Sequence, residues 1–203
     1  MDEDIDKNST LALFDFDGTI TNKDSLFDFL KFSVGSTDYY VKLFLLIPVF
    51  LKFFMGKISN SQAKEKVFKF FYKDWPIDKF QKVSNNYSLN QINLIVKKSA
   101  VEKIEWHKKN NHQIIIVSAS IENYLEEWCR QNQLELLGTK LEILENKITG
   151  KFITPNCNGE EKVKRIQNRI NLSEFNLIYA YGNSKGDLPM LNLADFKYYK
   201  NFK

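Results

Sequence analysis

The sequence predicts an α/β fold, in which a doubly wound, Rossmann-like parallel sheet carries an all-helical domain inserted after its first strand. Three short apolar runs, each ending at polar turn residues, are typical of buried parallel strands. The long segment between the first and second runs keeps helical periodicity and contains no convincing strand. Strands that alternate with helices favour a parallel sheet covered by helices.

The three apolar runs define the predicted strands, which are Thr10–Phe16, Gln113–Val117 and Leu177–Tyr181. The first run ends at an Asp-Gly-Thr turn, the second at a serine-rich turn and the third at a Gly-Asn pair. Helical patterns follow the second and third runs, over Ile121–Gln133 and Leu188–Leu193. This alternation is the basis of the fold prediction.

Two further elements are predicted between the second and third strands. The segments Leu141–Glu145 and Lys147–Ile153 flank Asn146, a pattern that predicts a β-hairpin. A helix is expected from about Glu160 to Ile170. Both elements are assigned to the domain that contains the sheet.

The chain is predicted to form two domains. Residues 1–21 and 106–203 make the α/β core, and residues 22–105 make the inserted helical domain, called the cap below. Its helices are expected to break near Gly35, Gly56 and Asp74-Trp75-Pro76. The cap holds 14 lysines against eight acidic residues, 11 of the 17 phenylalanines and no arginine. Its surface is therefore expected to differ in kind from that of the core.

Composition and charge exclude several classes of protein. With 43% hydrophobic and 27% charged residues, the chain is not collagen-like, low-complexity or a multi-span membrane protein. A net charge of +4 is too small to indicate nucleic-acid binding, and the cap has no recognisable nucleic-acid motif. The two cysteines form no CxxC pair, and residues 1–10 do not resemble a secretory signal. A cytoplasmic protein is expected, with no nucleic-acid partner.

The cap contains one strongly apolar segment, residues 39–55. Its unbroken stretch, Leu43–Leu51, is nine residues long, whereas a membrane span needs roughly 20. Lys42 and Lys52 border leucine and phenylalanine side chains, a pattern typical of a surface that rests at lipid headgroups. The segment therefore predicts either peripheral membrane contact or packing of one cap helix on another.

Polar residues follow each predicted strand, at the edge where open α/β sheets bind ligands. Asp15 and Asp17 follow the first strand and, because they alternate along it, are expected to share one face. Ser118 follows the second strand, and Asn183 and Asp187 follow the third. Close carboxylates repel each other, and oxygen ligands of this kind favour Mg²⁺.

The remaining groups at this edge suit a phosphate. Lys162 begins the helix before the third strand, and the turn after the first strand presents the backbone N–H groups of Gly18 and Thr19. An ammonium, a hydroxyl and free N–H groups are typical phosphate ligands. The sequence therefore predicts a site for a divalent cation beside a phosphoryl group.

Four segments, in order along the chain, resemble the motifs of the haloacid dehalogenase superfamily of phosphatases. They are Phe14–Ile20 (FDFDGTI), Val117–Ser120 (VSAS), Lys162 and Gly182–Asp187 (GNSKGD). The helical insertion directly after the first motif resembles the cap of the phosphoserine-phosphatase-like subfamily. The resemblance covers nearly the whole chain.

This resemblance implies a mechanism. Asp15 would be the nucleophile that forms an aspartyl-phosphate, and Asp17 would act first as general acid and then as general base. Mg²⁺ would be bound by Asp15, the backbone carbonyl of Asp17, Asn183 and Asp187. Because the family usually has an acidic residue at the position of Asn183, Mg²⁺ binding is predicted to be weaker here.

The resemblance also assigns the contacts with substrate. Those with the phosphoryl group would come from Gly18, Thr19, Ser118, Ala119 and Lys162, and Asp24 would meet a substrate amine. Taken alone, Ser118 would be read as a helix N-cap. Lys164 and Arg165 are alternatives to Lys162 as the phosphate-binding residue of this helix. Lys162 is preferred because it lies 21 residues before Asn183, a spacing like that of related phosphatases.

The class of substrate remains open between amphiphilic and small phosphates. Phosphoserine phosphatases bind the serine carboxylate through a cap arginine, but Gly56–Val67 offers only Lys57, Lys64 and Lys66, which make no planar two-bond contact. Residues 39–57 and 157–163 resemble the phosphatidylglycerophosphatase C family. A lipid phosphate is the leading prediction. Phosphoserine or another small metabolite is the alternative, and a non-catalytic binding module is a third reading.

Overall fold

The core of the computed structural model, which describes residues 9–202, is a five-stranded parallel sheet. Its strands are β1 (Thr10–Phe14), β2 (Gln113–Ile121), β3 (Glu135–Thr139), β6 (Leu177–Gly182) and β7 (Phe196–Tyr199), in the order β3-β2-β1-β6-β7. All neighbouring pairs are parallel. The three predicted strands form the centre of this sheet, and the two outer strands were not predicted. The prediction of an α/β parallel sheet is therefore confirmed.

Strand β1 is buried on both faces, which explains its unbroken apolar sequence. Leu11 and Leu13 pack on one face against helices α8 (Glu160–Arg169) and α9 (Leu188–Leu191). Ala12 and Phe14 pack on the other face, in a cluster that extends into the cap. Both faces are covered, as a doubly wound sheet requires.

Five α-helices lie within residues 25–90 of the cap, and the chain turns where breaks were predicted. They are α1 (Ser25–Val34), α2 (Ser36–Leu45), α3 (Ile47–Phe54), α4 (Asn60–Tyr72) and α5 (Ile77–Asn90). Gly35, Gly56 and Asp74 all have positive φ angles of 67–82°, a conformation that ends a helix. Within residues 9–202, no helix has the length and apolar character that crossing a membrane demands.

The chain leaves and re-enters the core through two paired segments. Thr21 bridges Val96, and the N–H groups of Asn22 and Lys97 donate to carbonyls of the opposite segment at 2.8 Å. Helix α6 (Lys98–Lys109) then packs on β2 and runs through the predicted boundary at residue 105. We propose that the cap ends near residue 96 and that α6 belongs to the core. Residues 1–8 and 203 of the predicted core lie outside the described residues.

A β-hairpin of the core holds the cap in place. Strands β4 (Leu141–Leu144) and β5 (Lys147–Phe152) pair antiparallel, as predicted, and β5 packs along α4. The N–H of Phe152 donates to Glu65 Oε1 at 2.9 Å. At Gly150, whose φ is 85°, an added Cβ would lie 2.3 Å from Cα of Lys69, so only glycine permits this approach. The hairpin therefore fixes α4 beside the carboxyl end of the sheet.

Helix α7 is shorter than the sequence predicted. Strand β2 continues to Ile121, a 3₁₀ turn covers Glu122–Tyr124, and α7 spans only Glu126–Gln131. The register of β2 against β3 shifts between Val117 and Ile121, so the strand is irregular where the polar residues begin. Ser118 and Ala119 therefore lie within this irregular strand end rather than in a turn.

Candidate functional site

Asp15 lies at the carboxyl end of the central strand, where its carboxylate is almost completely buried. Its N–H donates to the Tyr181 carbonyl at 2.9 Å, which continues the pairing of β1 with β6. Oδ2 accepts a hydrogen bond from Thr19 Oγ1 at 2.8 Å, and Oδ1 accepts from Lys162 Nζ at 2.7 Å. The carboxylate is thus held rigidly at the edge where the sequence placed the site.

Lys162, at the start of α8, joins two carboxylates in the interior. Its side chain is 1% exposed, and Nζ lies 2.7 Å from Asp15 Oδ1 and 2.9 Å from Asp187 Oδ1. It also donates to the Val117 carbonyl. Lys164 is exposed and Arg165 binds Glu161 and backbone carbonyls, so Lys162 is the lysine of this helix that faces the site.

The charges of this trio depend on one another. Burial raises the pKa of Asp15 from 3.8 to about 6; the nearby Lys162 ammonium opposes this shift and the Asp187 carboxylate adds to it. Burial also disfavours the charged form of Lys162, but the two carboxylates outweigh it and raise the pKa of its ammonium. For Asp187, burial is outweighed by Lys162 and by hydrogen bonds from Ser184, which lower its pKa. Asp187 is therefore the more firmly ionised acid.

Asp17 is hydrogen-bonded by two serines rather than by the lysine. Its Oδ1 accepts from the N–H of Ser25 at 2.7 Å, and its Oδ2 accepts from Ser120 Oγ at 2.5 Å. Asp24 caps α1, with its Oδ1 accepting from the N–H of Leu26 at 2.9 Å. Burial, followed by the charge of Asp17, raises the pKa of Asp24. The two acids therefore lie close together where the cap meets the core.

These groups line an open cavity of about 410 Å³, called the polar cavity below. Among the predicted site residues it brings together Asp15, Asp17, Asp24, Ala119, Lys162 and Asp187. Six residues without a predicted role also line it, namely Asn60, Lys64, Asn158, Ser184, Lys185 and Gly186. The polar cavity thus combines five acidic and basic side chains from the predictions with polar groups from the cap.

Lys64 is the cap lysine that reaches the polar cavity. It projects from α4, and its Nζ donates to the Ala119 carbonyl at 3.1 Å. Burial lowers the pKa of its ammonium, although Asp17 and Asp24 oppose that shift. Lys57 and Lys66, the other two lysines of Gly56–Val67, do not line the polar cavity. Helical periodicity alone could not separate them, because the choice depends on how α4 lies over the sheet.

The other predicted site residues do not line the polar cavity. Ser118 is fully buried, and its Oγ accepts the N–H of Ser120 at 3.0 Å, a local capping contact. Gly18, Thr19 and Asn183 line a separate cavity of about 150 Å³. The Asn183 side chain lies against Gly18, where an added Cβ would be 2.1 Å from Nδ2. Gly18 therefore lets the turn and this amide approach each other.

The oxygen groups near Asp15 fit a magnesium ion better than a soft metal. No group of three or more His, Cys, Asp or Glu side chains within residues 9–202 is arranged to hold a metal. Mg²⁺, however, commonly uses only one or two carboxylates and keeps several waters. Asp15 and Asp187, both within hydrogen-bond distance of one ammonium, supply two carboxylates at one point. The amide of Asn183 lies on the other cavity, so it is the least suited of the four predicted ligands.

A parallel sheet with an acidic, lysine-containing cavity at its carboxyl edge and a helical cap above it defines a capped α/β protein. A model of the haloacid dehalogenase-like hydrolase family matches residues 12–192, and the chain belongs to that family. It is 27% identical to Protein CicA of Caulobacter vibrioides over 195 residues, 95% of this chain and 86% of that protein.

Two solved structures illustrate the shared fold. A protein from Bordetella pertussis Tohama I superposes with a TM-score of 0.79 at 21% identity, covering 92% of this chain and 87% of that one. A phosphoserine phosphatase in complex with substrate superposes with a TM-score of 0.60 at 20% identity, covering 96% and 87%. The predicted superfamily and the capped architecture are confirmed.

Proposed function

We propose that the protein is a Mg²⁺-dependent phosphomonoester hydrolase with Asp15 as its nucleophile. The observation that carries this proposal is the buried Asp15 carboxylate, bonded to Lys162 and Thr19 and open to the polar cavity. Burial raises the pKa of the Asp15 carboxyl group only to about 6, so this group is largely ionised at neutral pH. An ionised, positioned carboxylate is what covalent phosphoryl transfer requires.

The reaction has two displacements. An oxygen of Asp15 attacks phosphorus, the bond from phosphorus to the ester oxygen breaks, and Asp17 gives its proton to the departing alcohol. Asp17 then takes a proton from water, which attacks the aspartyl-phosphate and releases inorganic phosphate and Asp15. Lys162 holds Asp15 in place and balances the charge that develops on the phosphoryl oxygens.

Asp15, the backbone carbonyl of Asp17 and Asp187 are the groups that would hold Mg²⁺. A bound Mg²⁺ ion would supply positive charge that neutralises the phosphoryl oxygens. Asp187 suits this role because its ionised form is stabilised by Lys162 and by the N–H and hydroxyl of Ser184.

Hydrolysis of a chromogenic aryl phosphate tests the proposed activity. We expect release of the phenolate at neutral pH when Mg²⁺ is added, and loss of at least about 100-fold in rate when a chelator removes it. Restoring Mg²⁺ in excess should restore the rate, which serves as the control for protein damage. No hydrolysis with any divalent cation would contradict the enzyme and favour the binding-module alternative.

An amphiphilic phosphate is the substrate class that we propose. The cap presents exposed apolar side chains on α2 and α3, among them Phe44 at 72% and Phe54 at 80% exposure. Phosphoserine is the second candidate, because Asp24 and Lys64 line the polar cavity and offer charges for an amino acid. Turnover of a panel containing phosphoserine, sugar phosphates and a lysophosphatidate would rank the two classes.

We also propose that residues 39–55 contact a lipid surface. The exposed apolar groups are accompanied by Lys52 and Lys57, which are exposed and suit anionic headgroups. The protein should co-sediment with anionic vesicles, and Leu51→Asp should weaken binding by roughly tenfold or more. Leu94→Asp, at an exposed leucine outside this segment, is the matched control. Absence of binding, or equal effects of both variants, would contradict lipid contact through this segment.

A further inference from the structure

A second cavity, called the aromatic cavity below, adjoins the polar cavity under the cap. It has a volume of about 210 Å³, and its walls are mostly apolar side chains of α1, α3 and α4, including Phe27, Phe50, Phe53, Ala63 and Val67. Phe54 stands at its edge and is largely exposed.

The two cavities share three lining residues, so they adjoin each other. Asp24, Asn60 and Lys64 line both. A molecule whose phosphoryl group lies at Asp15 would therefore pass these three polar side chains and then meet aromatic walls. The order along this path is charged, polar and apolar, which is the order of groups in a phosphorylated amphiphile.

The aromatic walls leave part of their surface uncovered, although Phe50 packs on the core cluster and its ring contacts that of Phe27. Phe50 and Phe53 are only half-buried, and Phe27 is 39% exposed, although all three belong to helices that pack within the cap. Phe29, on the same helix as Phe27, is fully buried. Half-covered aromatic side chains around a concave surface are typical of a site for an apolar ligand.

We propose that the aromatic cavity binds an unbranched aliphatic chain attached to the phosphate ester. This inference rests on the proposed phosphatase activity and specifies where the rest of the substrate lies. A polar substrate group would lose its hydration against these walls without gaining partners beyond Asp24, Asn60 and Lys64. An aliphatic chain has no polar hydration to lose, and burial of its apolar surface is favourable.

The volume sets an expected chain length. A cavity of about 210 Å³ admits a chain of several methylene groups. A longer chain would continue past Phe54, which lies beside the exposed face of α3. Selectivity should therefore rise with chain length and then stop rising.

A series of n-alkyl phosphates from ethyl to dodecyl tests the proposal. We expect kcat/KM to change little while the first carbons pass Asp24, Asn60 and Lys64, to rise about fourfold for each further methylene, which corresponds to about 0.8 kcal/mol, and to level off once the aromatic cavity is filled. Hydrolysis of every member at the same kcat/KM would overturn the aliphatic-chain site while leaving the phosphatase intact. Hydrolysis of the aryl phosphate but of no alkyl phosphate would also overturn the aliphatic-chain site, whereas hydrolysis of neither would overturn the phosphatase itself.

Two variants locate the chain. Ala63→Leu places three extra carbons into the aromatic cavity and should shorten the chain at which kcat/KM levels off by about two to three carbons. Phe53→Ala removes part of the cavity wall and should reduce the rise in kcat/KM per methylene. This variant provides the test if Ala63→Leu does not fold. Phe70→Ala, on α4 but outside both cavities, should leave the series unchanged. Equal effects of Phe53→Ala and Phe70→Ala would contradict the assigned location.

Discussion

Asp15→Asn is expected to lower kcat for phosphomonoesters by at least about 10³-fold. The amide has the same shape as the carboxylate but cannot attack phosphorus and leave again as an aspartyl-phosphate. Substrate binding should be retained, because Lys162 and the polar groups of the cavity remain. Steady-state kinetics on the aryl phosphate measure the loss. A trapped phosphoryl-enzyme, detected by mass in the unmodified protein and absent from the variant, would identify the attacked residue.

The fold of this variant is checked separately from its activity. Lys162 keeps Asp187 as a partner when Asp15 becomes neutral, so thermal unfolding should shift by only a few degrees. Asp78→Asn, at an exposed acid that does not line the polar cavity, is the matched control and should retain full activity. If Asp15→Asn kept more than a tenth of the activity, Asp15 would not be the nucleophile.

The sequence predicted the central strands because buried parallel strands have a recognisable apolar pattern. The outer strands β3 and β7 were not predicted, because each is short, lies at an edge and mixes polar with apolar residues. Their sequences are ELLGT (Glu135–Thr139) and FKYY (Phe196–Tyr199). Their pairing with β2 and β6 depends on the assembled sheet. Edge strands are thus defined by tertiary structure more than by local sequence.

The distinction between local sequence and tertiary structure also applies to the residues of the site. Asp15, Asp17 and Asp187 follow strands, and the topology of a parallel sheet brings strand ends together, so their meeting could be predicted. Lys64 could not be singled out, because it comes from a cap helix whose placement depends on the hairpin β4–β5. The orientation of Asn183 depends on its contact with Gly18, a side-chain detail that motif order does not contain.

Lys162→Met is expected to destabilise the fold as well as to remove activity. Without the ammonium, Asp15 and Asp187 are left as uncompensated buried charges, which costs about 3–5 kcal/mol of unfolding free energy. The loss of charge stabilisation at the phosphoryl group should lower kcat by about 10²–10³-fold. Chemical denaturation and the aryl phosphate assay measure the two effects independently.

The destabilisation should depend on pH in a defined direction. Removing Lys162 raises the pKa of both remaining carboxyl groups in the folded state, so the folded variant binds protons more tightly than the unfolded chain. Its deficit relative to the unmodified protein should therefore be larger at pH 8 than at pH 5. Lys164→Met, two residues along the same helix at an exposed position, should show neither the deficit nor its pH dependence.

Adding Asp15→Asn to Lys162→Met should recover part of the lost stability, because one of the two repelling charges is gone. Equal stability of the two lysine variants would mean that the buried trio does not hold this end of the sheet together.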